Sequence, residues 1–336
     1  MIFVDYDAIT SNALFVKDKI AGKKICAVVK NDAYGHGLVS VAKVLADVVD
    51  MYAVGSVDEG MALLQFGKPV LVLIPADTTD TTCAILNGLI LTLDSIDTAK
   101  RVVTCAKALG RVAHVHIKLD SGMSRLGFSK STLDKSMPIL MDSALCVDGV
   151  FSHFACADTD KRFTDCQFDL FCSQASKLQQ QLGKSLLKHV ANTSAIFIDS
   201  RYHLDMVRVG IGLYGYGNTS LIPAKTMCAR VVALSCHSKG DIVGYGANFV
   251  CNQNTKIAVL DVGYASGLSR QFCSKCIVDI NGVRCPSIGS ICMGMMMVDA
   301  TQANVSVGDV VVLFGKSTTW NKHVFMYETL CNTRLK

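Results

Sequence analysis

No apolar stretch in this chain runs far enough to span a bilayer. Mean hydropathy is +0.35, yet Lys, Asp, Gly or Pro interrupts every hydrophobic run well short of the ~20 residues that a transmembrane helix needs. Runs of one charge are missing as well. The formal net charge is only +5, and the Lys and Arg are scattered, which leaves no footprint for nucleic acid or a membrane surface. The first residues, MIFVDYDAIT, contain acidic side chains but neither a basic segment nor a long apolar one. A secretory leader is therefore not expected, and the protein is expected in the cytoplasm. A second Cys-x-x-Cys is also lacking. Cys273 and Cys276 form such a pair, but Cys285 and Cys292 do not stand at ligand spacing, so no zinc is expected there. The fifteen cysteines read as small apolar residues of a reducing compartment rather than as a disulfide framework.

What the sequence does contain is alternation. Of its 336 residues, 50% are hydrophobic and 18% charged, a globular composition with material for a large core. Strand-length apolar runs are expected at 25–30, 51–56, 70–75, 89–94, 112–120, 147–154, 189–194 and 206–213. Helical patterns lie between them, among them 40–50, 97–109 and 165–182, with Ser, Thr or Asp at many starts and Gly after several ends. Strands joined by helices pair in parallel, and eight of them suffice to close a (β/α)8 barrel. The alternative is an open doubly wound sheet, but no Gly-x-Gly-x-x-Gly follows any of these expected strands. The barrel is preferred.

Near residue 222 the texture changes. Segments 227–236, 255–262, 276–280, 294–299 and 309–314 are rich in Val, Ile, Met and Cys, and are separated by turn signals such as Asn281-Gly282 and Gly308-Asp309. The expected organisation is a barrel over residues 8–222 and a mainly β domain over 223–336, to which residues 1–7 are assigned, with Ile2 to Val4 as a candidate extra strand.

Active sites of (β/α)8 barrels lie at the C-terminal ends of the strands. Lys30 is expected there, as the last residue of the first strand. Partial burial at a barrel mouth lowers a lysine's pKa and favours the neutral amine that attacks an aldehyde. Position alone does not separate such a lysine from a solvated one.

The surrounding residues do. Ala27-Val28-Val29-Lys30-Asn31-Asp32-Ala33-Tyr34-Gly35-His36-Gly37 resembles the pyridoxal 5′-phosphate (PLP) lysine signature of alanine racemases. Lys118-Leu119-Asp120-Ser121-Gly122-Met123-Ser124-Arg125-Leu126-Gly127 is similar to the family's second signature. Further similar segments are 152–155, 191–194, 207–215, 244–247, 262–267 and 291–293, in the family's order along nearly the whole chain.

The resemblance implies a PLP-dependent amino-acid racemase that interconverts L- and D-alanine and supplies D-alanine for peptidoglycan. Racemisation removes the α-proton from one face and returns it to the other, so two acid–base groups must flank the cofactor. By resemblance these are Lys30, which also holds the cofactor as a Schiff base, and Tyr264. A phenol acting as a base near neutrality needs positive charge or donors beside it, and His153 and Arg208 match the residues that provide them. Arg208 matches an arginine facing the pyridine nitrogen. A guanidinium only donates, so that nitrogen stays unprotonated and the ring is a weaker electron sink. The phosphate is expected near Asn192 and Thr193, the backbone amides of Gly210 and Ile211, and the hydroxyls of Tyr34 and Tyr327. Arg125 is expected at the cofactor's phenolic oxygen and the substrate carboxylate, with the Met293 amide as a second donor. Lys118 matches a lysine that is carbamylated in some members and orients that arginine. Tyr264, Cys292 and Met293 belong to the β domain, and the family pattern implies a homodimer in which that domain completes the other subunit's barrel.

Ser290 and Gly294 depart from the family, standing where an arginine and an aspartate are common near the substrate entrance. A neutral, wider entrance brings serine within range as a side substrate. Three other readings are weaker, and one of them, a PLP-binding regulatory barrel, usually lacks the second domain and hence Tyr264. An amino-acid decarboxylase of the same plan carries a glutamate where this chain has Arg208. A metallohydrolase barrel is suggested by His114-x-His116 with Lys118 on one strand, but the other histidines add no ligand pattern, so no catalytic metal is expected.

Overall fold

The computed structural model describes residues 1–315. Its strands fall into three sheets. After β1 (Ile2–Val4) come eight strands joined in parallel: β2 (Lys24–Val28), β3 (Met51–Val54), β4 (Val70–Val72), β5 (Ile90–Leu93), β6 (Ala113–Lys118), β7 (Leu145–Phe151), β8 (Leu187–His189) and β9 (Met206–Val209). Seven of the eight expected strands are present in place, while the other, expected at 189–194, lies at Leu187–His189 because Asn192 caps the helix Thr193–Ile198. The order β8-β7-β6-β5-β4-β3-β2-β9 follows the chain except that the last strand returns to the first. Asp205 N donates to Lys188 O at 3.1 Å and Arg208 N to Ala191 O at 3.0 Å. These bonds join β9 to the β8 segment and close the (β/α)8 barrel. Every residue of β3, β4, β5 and β9 is buried, as befits parallel strands covered on both faces, and this is why they read as continuous apolar runs.

Helices supply the crossovers. The helix Ile96–Leu109 shows why its boundaries could be anticipated: the Ser95 hydroxyl accepts from Thr98 N while the Thr98 hydroxyl accepts from Ser95 N, a reciprocal cap. Buried Ala99, Val102, Val103 and Ala106 then recur at helical spacing.

The chain divides into two compact units. One comprises Tyr6–Ala33 and Gly37–Leu221; the other comprises Met1–Asp5, Tyr34–His36 and the chain from Ile222 onward. The second unit is mainly β, with β10 (Lys225–His237), β11 (Ile242–Val243), β12 (Phe249–Val250), β13 (Thr255–Leu260), β14 (Ile277–Ile280), β15 (Val283–Ile288), β16 (Met296–Asp299) and β17 (Val310–Phe314). β1 pairs antiparallel with β10, so Ile2–Val4 does form the extra strand. β15, with an arginine and a proline in its run, was not anticipated; it pairs with β14 and β16. Every described cysteine is a free thiol. Among the described residues no helix is long and apolar enough to cross a membrane.

Candidate active site

Lys30 does not end a strand. β2 stops at Val28, and Lys30 opens a turn in which Asn31, Asp32, Ala33 and Tyr34 have φ between 52° and 55° and Gly35 has φ 71°. This is a left-handed helical turn, a conformation that L-residues ordinarily avoid in succession. It is held by Ala33 N to Val29 O at 2.8 Å and Gly37 N to Asp32 O at 3.0 Å. Glu59 pins its start, accepting from Asp32 N at 3.0 Å and from Gly55 N at 2.8 Å. The expectation that the strand runs through Lys30 fails because the turn reverses the chain two residues earlier. The amine is nonetheless half-buried at the C-terminal end of β2. Burial, then the nearby Arg125, push its pKa below the usual lysine value, with Glu59 opposing.

Arg208, on β9, is the most constrained group of the site, with 4% of its surface exposed. One terminal nitrogen donates to His189 O and to His189 Nδ1, both at 2.9 Å. The other donates to Ser152 O at 2.7 Å, Val190 O at 3.3 Å and His153 Nδ1 at 3.2 Å. Because a guanidinium has no acceptor, both imidazoles must present a bare Nδ1 and carry their proton on Nε2. His189 then donates from Nε2 to His116 Nδ1 at 3.0 Å, which fixes His116 in the same tautomer. One arginine thus sets the proton positions of three histidines. Burial pushes His116 down to about 4 and holds His189 and His153 well below the usual imidazole value, with Arg208 adding to the depression at each. All three are neutral above that range. The rings are packed as well as bonded: Phe151 stacks on His189 with centroids 5.0 Å apart and lies under both Arg208 and Lys118, at 5.3 and 5.6 Å. A Cβ at Gly149 would sit 2.7 Å from His116 Nε2, so the imidazole fills the space that this glycine leaves.

The second signature forms a loop after β6. One oxygen of Asp120 accepts from the amides of Gly122, Met123 and Ser124 at 2.9, 3.0 and 3.0 Å, and this nest presents the exposed Arg125. Lys118, the last residue of β6, is buried; burial and then Arg125 push it down to about 8. Lys30, Lys118, Arg125 and Arg208 all act electrostatically on His153, so four cations converge on one imidazole. Such a gathering calls for anions. A phosphorylated pyridine with a phenolic oxygen, holding an amino-acid carboxylate, carries negative charge of the kind this donor set accepts, and the barrel residues fit the cofactor on that count.

Of the expected phosphate residues, Asn192, Thr193, Gly210 and Ile211 come together. Asn192 caps the short helix Thr193–Ile198 through Ala195 N, 3.1 Å from its Oδ1. The Thr193 hydroxyl accepts from Gly210 N and Gly212 N, each at 3.2 Å. Gly210 to Gly215 has the Gly-x-Gly-x-x-Gly spacing. The expected strand 206–213 concealed it, but β9 ends at Val209 and Ile211–Tyr214 forms a 3₁₀ turn. Ile211 stands between the two amides that meet Thr193.

In the second unit, Tyr264 opens a short 3₁₀ turn and is 40% exposed, and Met293 is 62% exposed. They are neighbours: Tyr264 N donates to Cys292 O at 3.1 Å and Ala265 N to Met293 O at 2.9 Å. A Cβ on Gly263 would come within 2.2 Å of Cys292 O, so only glycine allows these two loops to touch. Ser290 is buried, accepting from Asn248 Nδ2 at 3.2 Å and donating to Tyr245 O at 3.0 Å, while Gly294 faces open space. Tyr34 lies in the left-handed turn, its carbonyl 3.0 Å from His36 Nδ1. Tyr327 lies outside the described residues.

Comparison with known proteins bears on the whole chain. Residues 4–218 match the family profile "Alanine racemase, N-terminal domain" and residues 224–334 the profile "Alanine racemase, C-terminal domain". A curated alanine racemase of Cutibacterium acnes is 38% identical over 327 residues, covering 93% of this chain and 87% of the relative. One from Methanococcus maripaludis is 35% identical, covering 94% and 89%. Among solved structures, an alanine racemase of Clostridium difficile 630 superposes with a TM-score of 0.88 at 32% identity, over 98% of this chain and 92% of that one. The alanine racemase from the D-cycloserine producer Streptomyces lavendulae gives 0.92 at 25% identity, over 99% and 94%. The chain belongs to the alanine racemase family.

Proposed function

We propose that this chain racemises alanine by a two-base, PLP-dependent mechanism in which Lys30 and Tyr264 serve opposite faces of the substrate. The convergence of Lys30, Lys118, Arg125 and Arg208 about a neutral His153 is the observation that carries this reading. When bound, PLP supplies the electron sink that acidifies the Cα–H bond of an amino acid. The chain supplies the rest. Lys30 Nζ would hold the cofactor covalently and would exchange a proton on one face of the substrate. Its depressed pKa keeps a useful fraction of neutral amine. Tyr264 Oη exchanges the proton on the other.

Arg208 would donate to the ring nitrogen of the bound group and could not protonate it. His153, held neutral by burial and then by the same arginine, is left with an Nε2–H to donate, a donor suited to stabilising the phenolate of a Tyr264 supplied by the other subunit. Asn192, Thr193, the Gly210 and Ile211 amides, Tyr34 and Tyr327 hold the phosphate; Arg125 and the Met293 amide hold the substrate carboxylate. Tyr264 and Met293 belong to a β unit that, in a head-to-tail homodimer, completes the barrel site of the other subunit. The enzyme acts in the cytoplasm on a small amino acid and supplies D-alanine for peptidoglycan.

A chiral assay of the purified enzyme tests the reading. L- and D-alanine are expected to reach one equilibrium mixture from either side, and borohydride is expected to fix the cofactor to Lys30. Fixation at another lysine, or none, would sink the assignment. The neutral residues at Ser290 and Gly294 favour turnover of L-serine as well; activity on alanine alone would refute that part and leave the rest standing.

A further inference from the structure

The spacing His114-x-His116 suggests two histidines acting together, but the structure separates them. His116 joins the relay from Arg208. His114 turns instead to Asp148, its Nδ1 2.7 Å from Oδ2. The other oxygen of that carboxylate accepts the thiol of Cys146, Sγ to Oδ1 3.1 Å. His114 and Cys146 are cross-strand partners on β6 and β7, and Asp148 follows two residues along β7, on the same face by the period of a strand. The register between the strands shifts by one residue after Val115, where Val115 faces Val147 but His116 faces Gly149. Asp148 therefore faces no single residue of β6, and its carboxylate reaches both neighbours.

We propose that His114, Cys146 and Asp148 form a binding site for one divalent transition ion of the zinc class, at the N-terminal ends of the barrel strands. Their three ligand atoms all lie within 4.8 Å of one another. Imidazole nitrogen, thiolate sulfur and carboxylate oxygen are zinc's own donor types, at roughly 2.0–2.3 Å, which sets ligand atoms about 3.3–3.6 Å apart in a tetrahedron. The histidine–aspartate contact, 2.7 Å from Nδ1 to Oδ2, opens by about half an ångström. The nitrogen and sulfur donors select against magnesium and calcium.

The proton count is simple. A carboxylate only accepts, so His114 Nδ1 and Cys146 Sγ each point a hydrogen at Asp148. On binding, the thiol proton leaves to solvent and the imidazole moves its proton from Nδ1 to Nε2. Three bonds to the ion form, with water in the fourth position and no change of oxidation state. The side chains of His114 and Asp148 are 51% and 36% exposed, so an ion reaches them directly from solvent. Because all barrel strands run parallel, this rim is opposite the one where Lys30 stands. The ion ties β6 to β7 and takes no part in racemisation.

Cobalt(II) titrated into the metal-free full-length protein is the probe, because a tetrahedral cobalt–thiolate centre gives visible d–d bands at longer wavelength than the cofactor absorbs. One equivalent per chain is expected, displaced by zinc(II), with a rise in melting temperature on binding. Cys146→Ser is expected to abolish the bands, and His114→Ala and Asp148→Asn to weaken binding by about tenfold or more. All three variants are expected to keep racemase activity, which also shows that they fold. Cys273→Ser is expected to keep the bands. Bands that persist in Cys146→Ser, or a wild-type protein that shows none, would overturn the proposal.

Discussion

The residues proposed for the site in the barrel unit and those proposed in the β unit are held in opposite ways. Arg208 is 4% exposed and bonds to two imidazoles and three backbone carbonyls. Tyr264 and Met293 are 40% and 62% exposed and are held near one another through backbone bonds alone. The groups that fix charge and proton position are completed by local packing. The groups proposed to meet the substrate lie on a surface, as they must if a second subunit supplies them. Buried and polar, the first half is costly to disturb; exposed and lightly held, the second is cheap to change in stability but not in catalysis.

Four experiments press on that contrast. Tyr264→Ala should lower racemisation by about 10²–10⁴-fold with the cofactor spectrum and melting temperature unchanged, and should impair α-proton exchange from one enantiomer more than from the other. Equal loss for both enantiomers, or loss of cofactor, would erase the distinction between the halves. Arg208→Lys keeps a positive charge but offers a single nitrogen where two served five acceptors. Leaving one or more of them unsatisfied should cost about 1–3 kcal/mol each, read as a lower urea midpoint, and an unchanged midpoint would show that the relay does not stabilise the barrel.

Gly149→Ala pushes a methyl group to 2.7 Å from His116 Nε2. It should cost about 1–3 kcal/mol, whereas the same insertion at Gly294, where the space is open, should be nearly neutral. The last test concerns Lys118. Its ordinary value of 10.5 falls to about 8 in the fold, so between these two pH values the unfolded chain binds more protons than the folded one. Stability from this residue therefore rises with pH through that window, from a full penalty below it. Denaturation midpoints across the range should show the rise in the wild type and not in Lys118→Met.

Much of the frame was legible because the physics is local. Buried parallel strands leave apolar runs, and caps such as Ser95 leave their mark beside the helix they start. The resemblance supplied the residues of the site, but not how they are held. His116 and His189 meet across 73 positions of sequence, and no spacing rule reaches that far. His114-x-His116 misled because strand alternation predicts one shared environment, whereas the shift after Val115 sends the two rings to different partners. The glycine spacing at Gly210 was obscured by its own surroundings, since Val, Ile and Leu on either side read as more strand. The left-handed turn was unreadable for a related reason: Asn31, Asp32, Ala33 and Tyr34 are not the glycines that such angles favour.

That turn has a consequence for how the enzyme is made. Four consecutive L-residues at positive φ oppose the chain's intrinsic preference by about 1–2 kcal/mol each, so no isolated peptide of this sequence would hold the shape. What imposes it comes from the next strand–helix unit: Glu59, on the helix Val57–Leu63, clasps Asp32 and Gly55. The lysine proposed as the anchor is therefore set in place only once that neighbouring unit has packed against it. A nascent or misfolded chain offers an ordinary flexible amine, and cofactor capture in the right geometry becomes a signature of completed folding.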